Sequence, residues 1–163
     1  MQCYLYFLPT PPDSLGRMKK LRALINRKSY KELAETARKA KEYAHAPFSN
    51  FRVGAALLTK DGRIITGCNI ENSSYGLTIC AERTAIFKAY SEGAHEFSAI
   101  AIVSDDSEHT PPCGACRQVL IDLAGDIDVV MINSKNKLKI ISLNSLIPLA
   151  FTSVNLNRIR NQK

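Results

Sequence analysis

The feature that most narrows what this chain can fold into is a set of three cysteines, each standing where a helix is expected to start. Cys113 and Cys116, in Pro112-Cys113-Gly114-Ala115-Cys116, head an amphipathic run over 113–124 that Gly125 stops. Three apart at a helix start, the two side chains lie on one face. Their thiols also feel the positive end of the helix dipole, which favours ionised sulfur and suits a divalent zinc ion. Two sulfurs do not complete such a site, because structural zinc takes four protein ligands and catalytic zinc usually three and a water. Cys80, in Cys80-Ala81-Glu82, is the third candidate and begins a second expected helix over 79–91. Taken alone, the Cys113/Cys116 pair reads equally as a redox pair or half of a structural site, and Glu82 as a solvated helix cap. A structural site needs a fourth ligand, for which Cys68, His45, His95 and His109 are the candidates. Cys68 follows a glycine inside a strand pattern and reads as a small core residue. The histidines lie near loops or helix ends and read as surface residues.

The rest of the chain frames these helices. Residues 29–44 are rich in helix formers, with Leu33, Ala37, Ala40 and Ala44 on one face, a Ser29/Glu32 capping box at the start and Pro47 beyond the end. Residues 51–59 and 63–70 flank Asp61-Gly62 and predict a hairpin. Residues 97–103 and 127–132 read as buried strands, and 137–142 as a final one. Strands alternating with helices predict an α/β layer structure, and the hairpin makes its sheet mixed. No linker or repeat divides residues 29–156, which form one expected domain. Residues 1–28 are read as a leader, extended or disordered in part, and 157–163 as a basic tail.

Charge and cysteine usage restrict the partners. The net charge is +7, but residues 1–31 hold seven Lys/Arg against one acid and residues 157–163 hold three against none. The body, residues 32–156, is left with a net −2, which gives little support to a nucleic-acid partner. No apolar run approaches the roughly 20 residues of a membrane helix. Five cysteines, including Cys3, with no secretory signal do not suggest a disulfide framework. A cytoplasmic protein is expected.

The order C-x-E followed by P-C-x-x-C is similar to the layout of zinc deaminases. The chain closely resembles the cytidine deaminases, specifically their small homotetrameric class, over about residues 29–151. The residues that carry the resemblance are Phe51-Arg52-Val53-Gly54-Ala55-Ala56-Leu57, Asn69-Ile70-Glu71-Asn72, Cys80-Ala81-Glu82-Arg83-Thr84-Ala85 and Pro112-Cys113-Gly114-Ala115-Cys116-Arg117-Gln118. Cysteine at position 80, where a larger dimeric class has histidine, points to the tetrameric one.

The resemblance implies a three-layer α/β/α fold with a mixed sheet of about five strands. It implies hydrolytic deamination of cytidine, and of deoxycytidine, in pyrimidine salvage, by a zinc-bound hydroxide with Glu82 as proton shuttle. Cys80, Cys113 and Cys116 would hold Zn²⁺. Phe51 would lie against the pyrimidine, Asn69 and Glu71 would bind the ribose hydroxyls, and the Ala81 N–H would bind the 2-oxo group. Phe151 would reach into a neighbouring subunit's site; ordinary core packing is the alternative for both aromatics. Three thiolates on Zn²⁺ leave a net −1 that something positive must offset. Arg83 and Arg117 are the candidates, with Arg83 favoured. The partners expected are a small pyrimidine nucleoside and other copies of the chain, in a tetramer. The competing readings are a blasticidin-S-type or other small-molecule aminohydrolase, a polynucleotide deaminase, and a non-catalytic zinc-stabilised module.

Overall fold

The computed structural model describes residues 29–160; the whole of the expected leader, 1–28 with Cys3, and the last three residues of the tail lie outside the described residues. Helix α1 (residues 29–41) leads into a hairpin of β1 (Val53–Thr59) and β2 (Ile64–Cys68). Gly62 takes φ 91° in its turn, and Thr59 and Arg63 close it with a 2.9 Å backbone bond. A left-handed residue is what a tight hairpin turn needs, and glycine supplies it without a Cβ clash. There follow α2 (Ala81–Ser91), β3 (Phe97–Ser104), α3 (Gly114–Ala124), β4 (Asp128–Ile132), β5 (Leu138–Ser142), α4 (Leu143–Leu146) and α5 (Ser153–Arg160).

The five strands form one sheet in the order β2-β1-β3-β4-β5. Only β3 and β4 pair in parallel; β1/β2, β1/β3 and β4/β5 are antiparallel. A parallel pair needs a crossover connection, and α3 provides it. Successive strand residues face opposite sides of the sheet, so Ala56, Ala101, Val103, Val130 and Ile132 pack against Leu33, Ala34 and Ala37 of α1. On the other side Ala55, Leu57, Ile100, Ile102, Val129 and Met131 meet Ala85, Ile86 and Ala89 of α2 and Leu120 and Ile121 of α3. The expected mixed, five-stranded, three-layer α/β/α architecture is present.

Three local expectations need correction. Helix α1 stops at residue 41, not 44, because the chain leaves it to pair elsewhere: His45 N–H bonds Asn69 O at 3.0 Å and Glu71 N–H bonds His45 O at 2.8 Å. Ala44 therefore leaves the helix face, and Ser29, expected to cap α1, already lies within it. Helices α4 and α5 were not anticipated, and α5 continues through residues 157–160 of the expected tail. Among the described residues no helix is long and apolar enough to cross a membrane.

Candidate zinc and substrate site

Two helix tips meet on the α2/α3 side of the sheet. Cys80 (φ −74°, ψ 154°) immediately precedes α2 and Cys113 (φ −65°, ψ 165°) immediately precedes α3, both in extended backbone. Neither side chain caps its helix by a hydrogen bond, which leaves both sulfurs available beside the positive helix ends. Cys116, in the first turn of α3, is fully buried. The sulfurs of Cys80 and Cys113 are 3.9 Å apart, and all three lie within 4.8 Å of one another. Zinc binds thiolate at about 2.3 Å, so a tetrahedral ion holds its sulfurs about 3.8 Å apart; the spacing fits.

This trio is the only group of three or more potential ligands of its kind among the described residues. The candidates for a fourth ligand are engaged elsewhere. Cys68 donates its S–H to Tyr43 O at 3.3 Å, and burial pushes its thiol up. The His109 ring bonds Lys137 O at 2.9 Å, and His95 packs edge-on against Tyr90. His45 is exposed and belongs to the bridge with residues 69–71.

Charge around the sulfurs is arranged to keep one ionised before any metal binds. The Cys80 thiol is pulled down to about 5, first by the hydrogen bond from Cys116 and then, against burial, by Arg83 and Cys113. The same bond, with burial, drives the Cys116 thiol upward. Arg83 Nη2 donates to Cys80 Sγ at 3.6 Å and to Thr78 O at 3.3 Å, while its buried Nε has no partner. A guanidinium with a spare donor beside three sulfurs suits a site that gains thiolate charge on metal binding. Arg117, the other candidate, is directed elsewhere: its Nε donates to Pro112 O and its Nη1 to Leu146 O, both at 2.8 Å. It ties the segment before Cys113 to α4.

Glu82, the second residue of α2, is only 4% exposed. Burial, reinforced by the nearby Cys80 charge, pushes its carboxyl up to about 7, the range in which a carboxyl exchanges protons at neutral pH. Gly67 sets how close it sits to the sheet. A Cβ there would collide with Ala81 O and Ala85 N, so glycine lets the first turn of α2 rest directly on β2.

The other expected residues lie at the start of α2 or on other segments, the proposed rim of the site. Ala81 is buried as the first residue of α2, where backbone N–H groups lack helical partners. Phe51 is 38% exposed and Phe151 59%, neither packed into the core. Asn69 is nearly buried; its Oδ1 accepts from Val53 N–H and its Nδ2 donates to Phe51 O, both at 2.8 Å. Glu71 borders a cavity of about 360 Å³ with Phe48, Ser49, Tyr75 and Thr78. It accepts bonds from the Ser49 hydroxyl, Phe48 N–H (2.8 Å) and Ser49 N–H (3.2 Å), and the Ser49 bond leads in lowering its pKa.

Three further residues at this rim escaped the sequence reading. Gln118 Nε2 holds Phe151 O at 2.6 Å. Ser49 Oγ accepts from Phe51 N–H at 3.0 Å, and Asp105 accepts from Arg52 N–H at 3.1 Å. These bonds join a side chain to another residue's backbone, so they leave no periodic mark; only for Ser49 does the turn-forming Ser49-Asn50 pair offer a local signal.

A mixed α/β sheet that carries three sulfurs and a buried carboxyl at two helix tips defines a zinc-binding deaminase domain. The family model for the cytidine and deoxycytidylate deaminase zinc-binding region matches residues 27–133, and the chain belongs to that family. It is 52% identical to a cytidine deaminase of Halalkalibacterium halodurans over 126 residues, which is 77% of this chain and 96% of that protein. The crystal structure of cytidine deaminase from Burkholderia pseudomallei superposes with a TM-score of 0.72 at 49% identity, covering 74% of this chain and 97% of the other. A blasticidin-S deaminase of Bacillus cereus is 39% identical over 108 residues, 61% of this chain and 76% of that protein.

Proposed function

We propose that this chain hydrolyses cytidine, and deoxycytidine, to the corresponding uridine and ammonia. The observation that carries the reading is the buried Glu82, two residues beyond Cys80 and beside a three-sulfur cluster that no fourth side chain closes among the described residues. Cys80, Cys113 and Cys116 would hold zinc, which when bound supplies Lewis acidity and an activated water near neutral pH. Glu82, poised near neutrality, takes a proton from the attacking water and delivers it to ring N3. It then takes the second proton, from the new hydroxyl on C4, and passes it to the exocyclic amine; the C4–N bond breaks, ammonia leaves and the C4 carbonyl of uridine forms. Ala81 N–H orients the 2-oxo group, Phe51 lies on the ring, and Glu71 and the second N–H of the Asn69 amide receive the ribose. Arg83 offsets the excess thiolate charge.

The test is direct. Cytidine added to the purified protein is converted to uridine, followed by absorbance, and a chelator stops the conversion until zinc is restored. No conversion by zinc-loaded protein refutes the proposal. The similarity to a blasticidin-S deaminase supports a second reading, an aminohydrolase for that type of nucleoside. Glu71 and Asn69 favour a simple ribose, so kcat/KM for cytidine and deoxycytidine should exceed that for blasticidin S.

The same reading extends to assembly. Leu149, Phe151, Val154 and Leu156 are all exposed, Leu149 completely and at φ 57°. Several exposed apolar side chains within eight residues favour burial against another protein surface. We infer a homotetramer in which Phe151 completes a neighbour's site, in a cytoplasmic enzyme of pyrimidine salvage. Light scattering should give four times the chain mass, and a monomer with full activity would rule this out.

A further inference from the structure

Where the chain enters β1, three successive N–H groups are all satisfied by side chains. Phe51 N–H bonds Ser49 Oγ at 3.0 Å, Arg52 N–H bonds Asp105 at 3.1 Å and Val53 N–H bonds Asn69 Oδ1 at 2.8 Å. The Phe51 carbonyl is held as well, by Asn69 Nδ2 at 2.8 Å. Both peptide groups flanking the Phe51 Cα are therefore clamped while its ring stays exposed.

Ser49 occupies the critical place in this clamp. Asn50 turns the chain at φ 53°, a left-handed conformation that asparagine tolerates, and this folds the Ser49 hydroxyl back onto Phe51 N–H. The same hydroxyl donates its hydrogen to Glu71 Oε1. One O–H thus accepts from the residue meant to contact the base and donates to the carboxylate meant to contact the sugar. A hydroxyl is the smallest group that can do both at once. Ser49 touches neither the sulfurs nor Glu82 in any described hydrogen bond.

We propose that Ser49 is a positioning residue that sets the distance between the base-stacking and ribose-binding halves of the substrate site. The proposal rests on the reading of Phe51 and Glu71 as substrate-binding residues. It gives Ser49→Ala a specific signature. The carboxylate loses its hydroxyl donor and Phe51 N–H loses its acceptor, while the machinery that moves protons is untouched. KM for cytidine should rise about 10-fold with kcat within about twofold, the pattern of lost substrate binding. Zinc content should be unchanged, and hydrogen exchange at the Phe51 amide should accelerate. Ser49→Thr, which keeps the hydroxyl, should restore both KM and protection.

Phe51→Ala and Glu71→Gln, measured alongside, separate two kinds of failure. If they raise KM and Ser49→Ala does not, the bridging role of Ser49 is wrong and the substrate site stands. If neither raises KM, the substrate-site reading falls and takes this proposal with it. Should Ser49→Ala lower kcat as strongly as it raises KM, or Ser49→Thr fail to rescue, a general structural role replaces the positioning one.

Discussion

The floor and the rim of the site are built by different means. The floor consists of two helix tips. Ala81 and Cys116 are fully buried there and Glu82 almost so, each at a place dictated by regular secondary structure packed on the sheet. The rim consists of residues 45–53, 69–78 and 146–151, where side chains hold backbone: Ser49, Asn69 and Asp105 on one side, Arg117 and Gln118 on the other. Its aromatics, Phe48, Phe51, Tyr75 and Phe151, remain exposed. Helix packing fixes these groups in place and keeps water from Cys116 and Glu82, while Cys80 is half-buried and Cys113 exposed at the mouth of the cluster. On the proposed reading, the aromatics that meet a substrate stay open and their backbone is held from behind, while the nearly buried Asn69 is one of the groups that hold it.

Damage to the floor should therefore cost most. Cys113→Ala removes a sulfur from the cluster and couples metal loss to folding: zinc by elemental analysis should fall to background, turnover should vanish, and stability should drop by about 3 kcal/mol or more. A variant that kept its zinc would show that the sulfurs are not the ligands. Glu82→Gln should lower kcat by roughly 10²–10⁴-fold while zinc stays bound, since the proposed role of Glu82 is to move protons without being a ligand. Loss of metal from that variant would mean that its role is misassigned. Arg83→Gln tests the charge balance. It removes the donor 3.6 Å from Cys80 Sγ, so zinc affinity or kcat should fall by about 10- to 100-fold with the fold retained. Unchanged kinetics and unchanged zinc retention against a chelator would leave the thiolate charge without its neutralising partner.

The same division explains what was legible in the sequence. The floor could be read because its signals are local: Cys113 and Cys116 three apart, Cys80 two before Glu82, Gly125 at a helix end with φ 72°. Strands β1 to β5 were legible from short apolar runs and from the Asp61-Gly62 turn. What failed to show depends on contacts between distant segments. Nothing near Ala44 announces that His45 will leave the helix to bond Asn69 and stop α1 at residue 41. Arg83 and Arg117 each follow a functional residue and look alike in sequence; only packing sends one guanidinium to sulfur and the other to the carbonyls of Pro112 and Leu146. Asp105 lies 53 positions from the Arg52 N–H it accepts, and no period links them. Helix α5 carries a polar sequence with few apolar residues, so little marked it in advance.

The smallest expected effect concerns Asp105, and it probes how firmly charge holds the rim. Its carboxylate accepts from Lys41 Nζ at 2.6 Å and from Arg52 Nε at 3.0 Å, Nη2 at 3.1 Å and the backbone N–H. Lys41 is 9% exposed, so neutralising its partner strands a nearly buried cation. Asp105→Asn should therefore cost about 1–3 kcal/mol, less than a fully buried pair because Arg52 and Asp105 still touch solvent. Burial alone would raise this carboxyl, but the bonds from Arg52 and Lys41 outweigh it and hold the group at about 2. A folded pKa below the unfolded one contributes stability that is complete above the unfolded value and disappears as pH falls through the folded value. The gap between wild type and Asp105→Asn in urea unfolding should thus be constant from pH 8 to pH 5 and narrow only as the pH falls below about 4. Zinc release in acid affects both proteins and cancels in the difference. A gap that closed between pH 7 and pH 5 would assign the stabilisation to a titrating group other than Asp105.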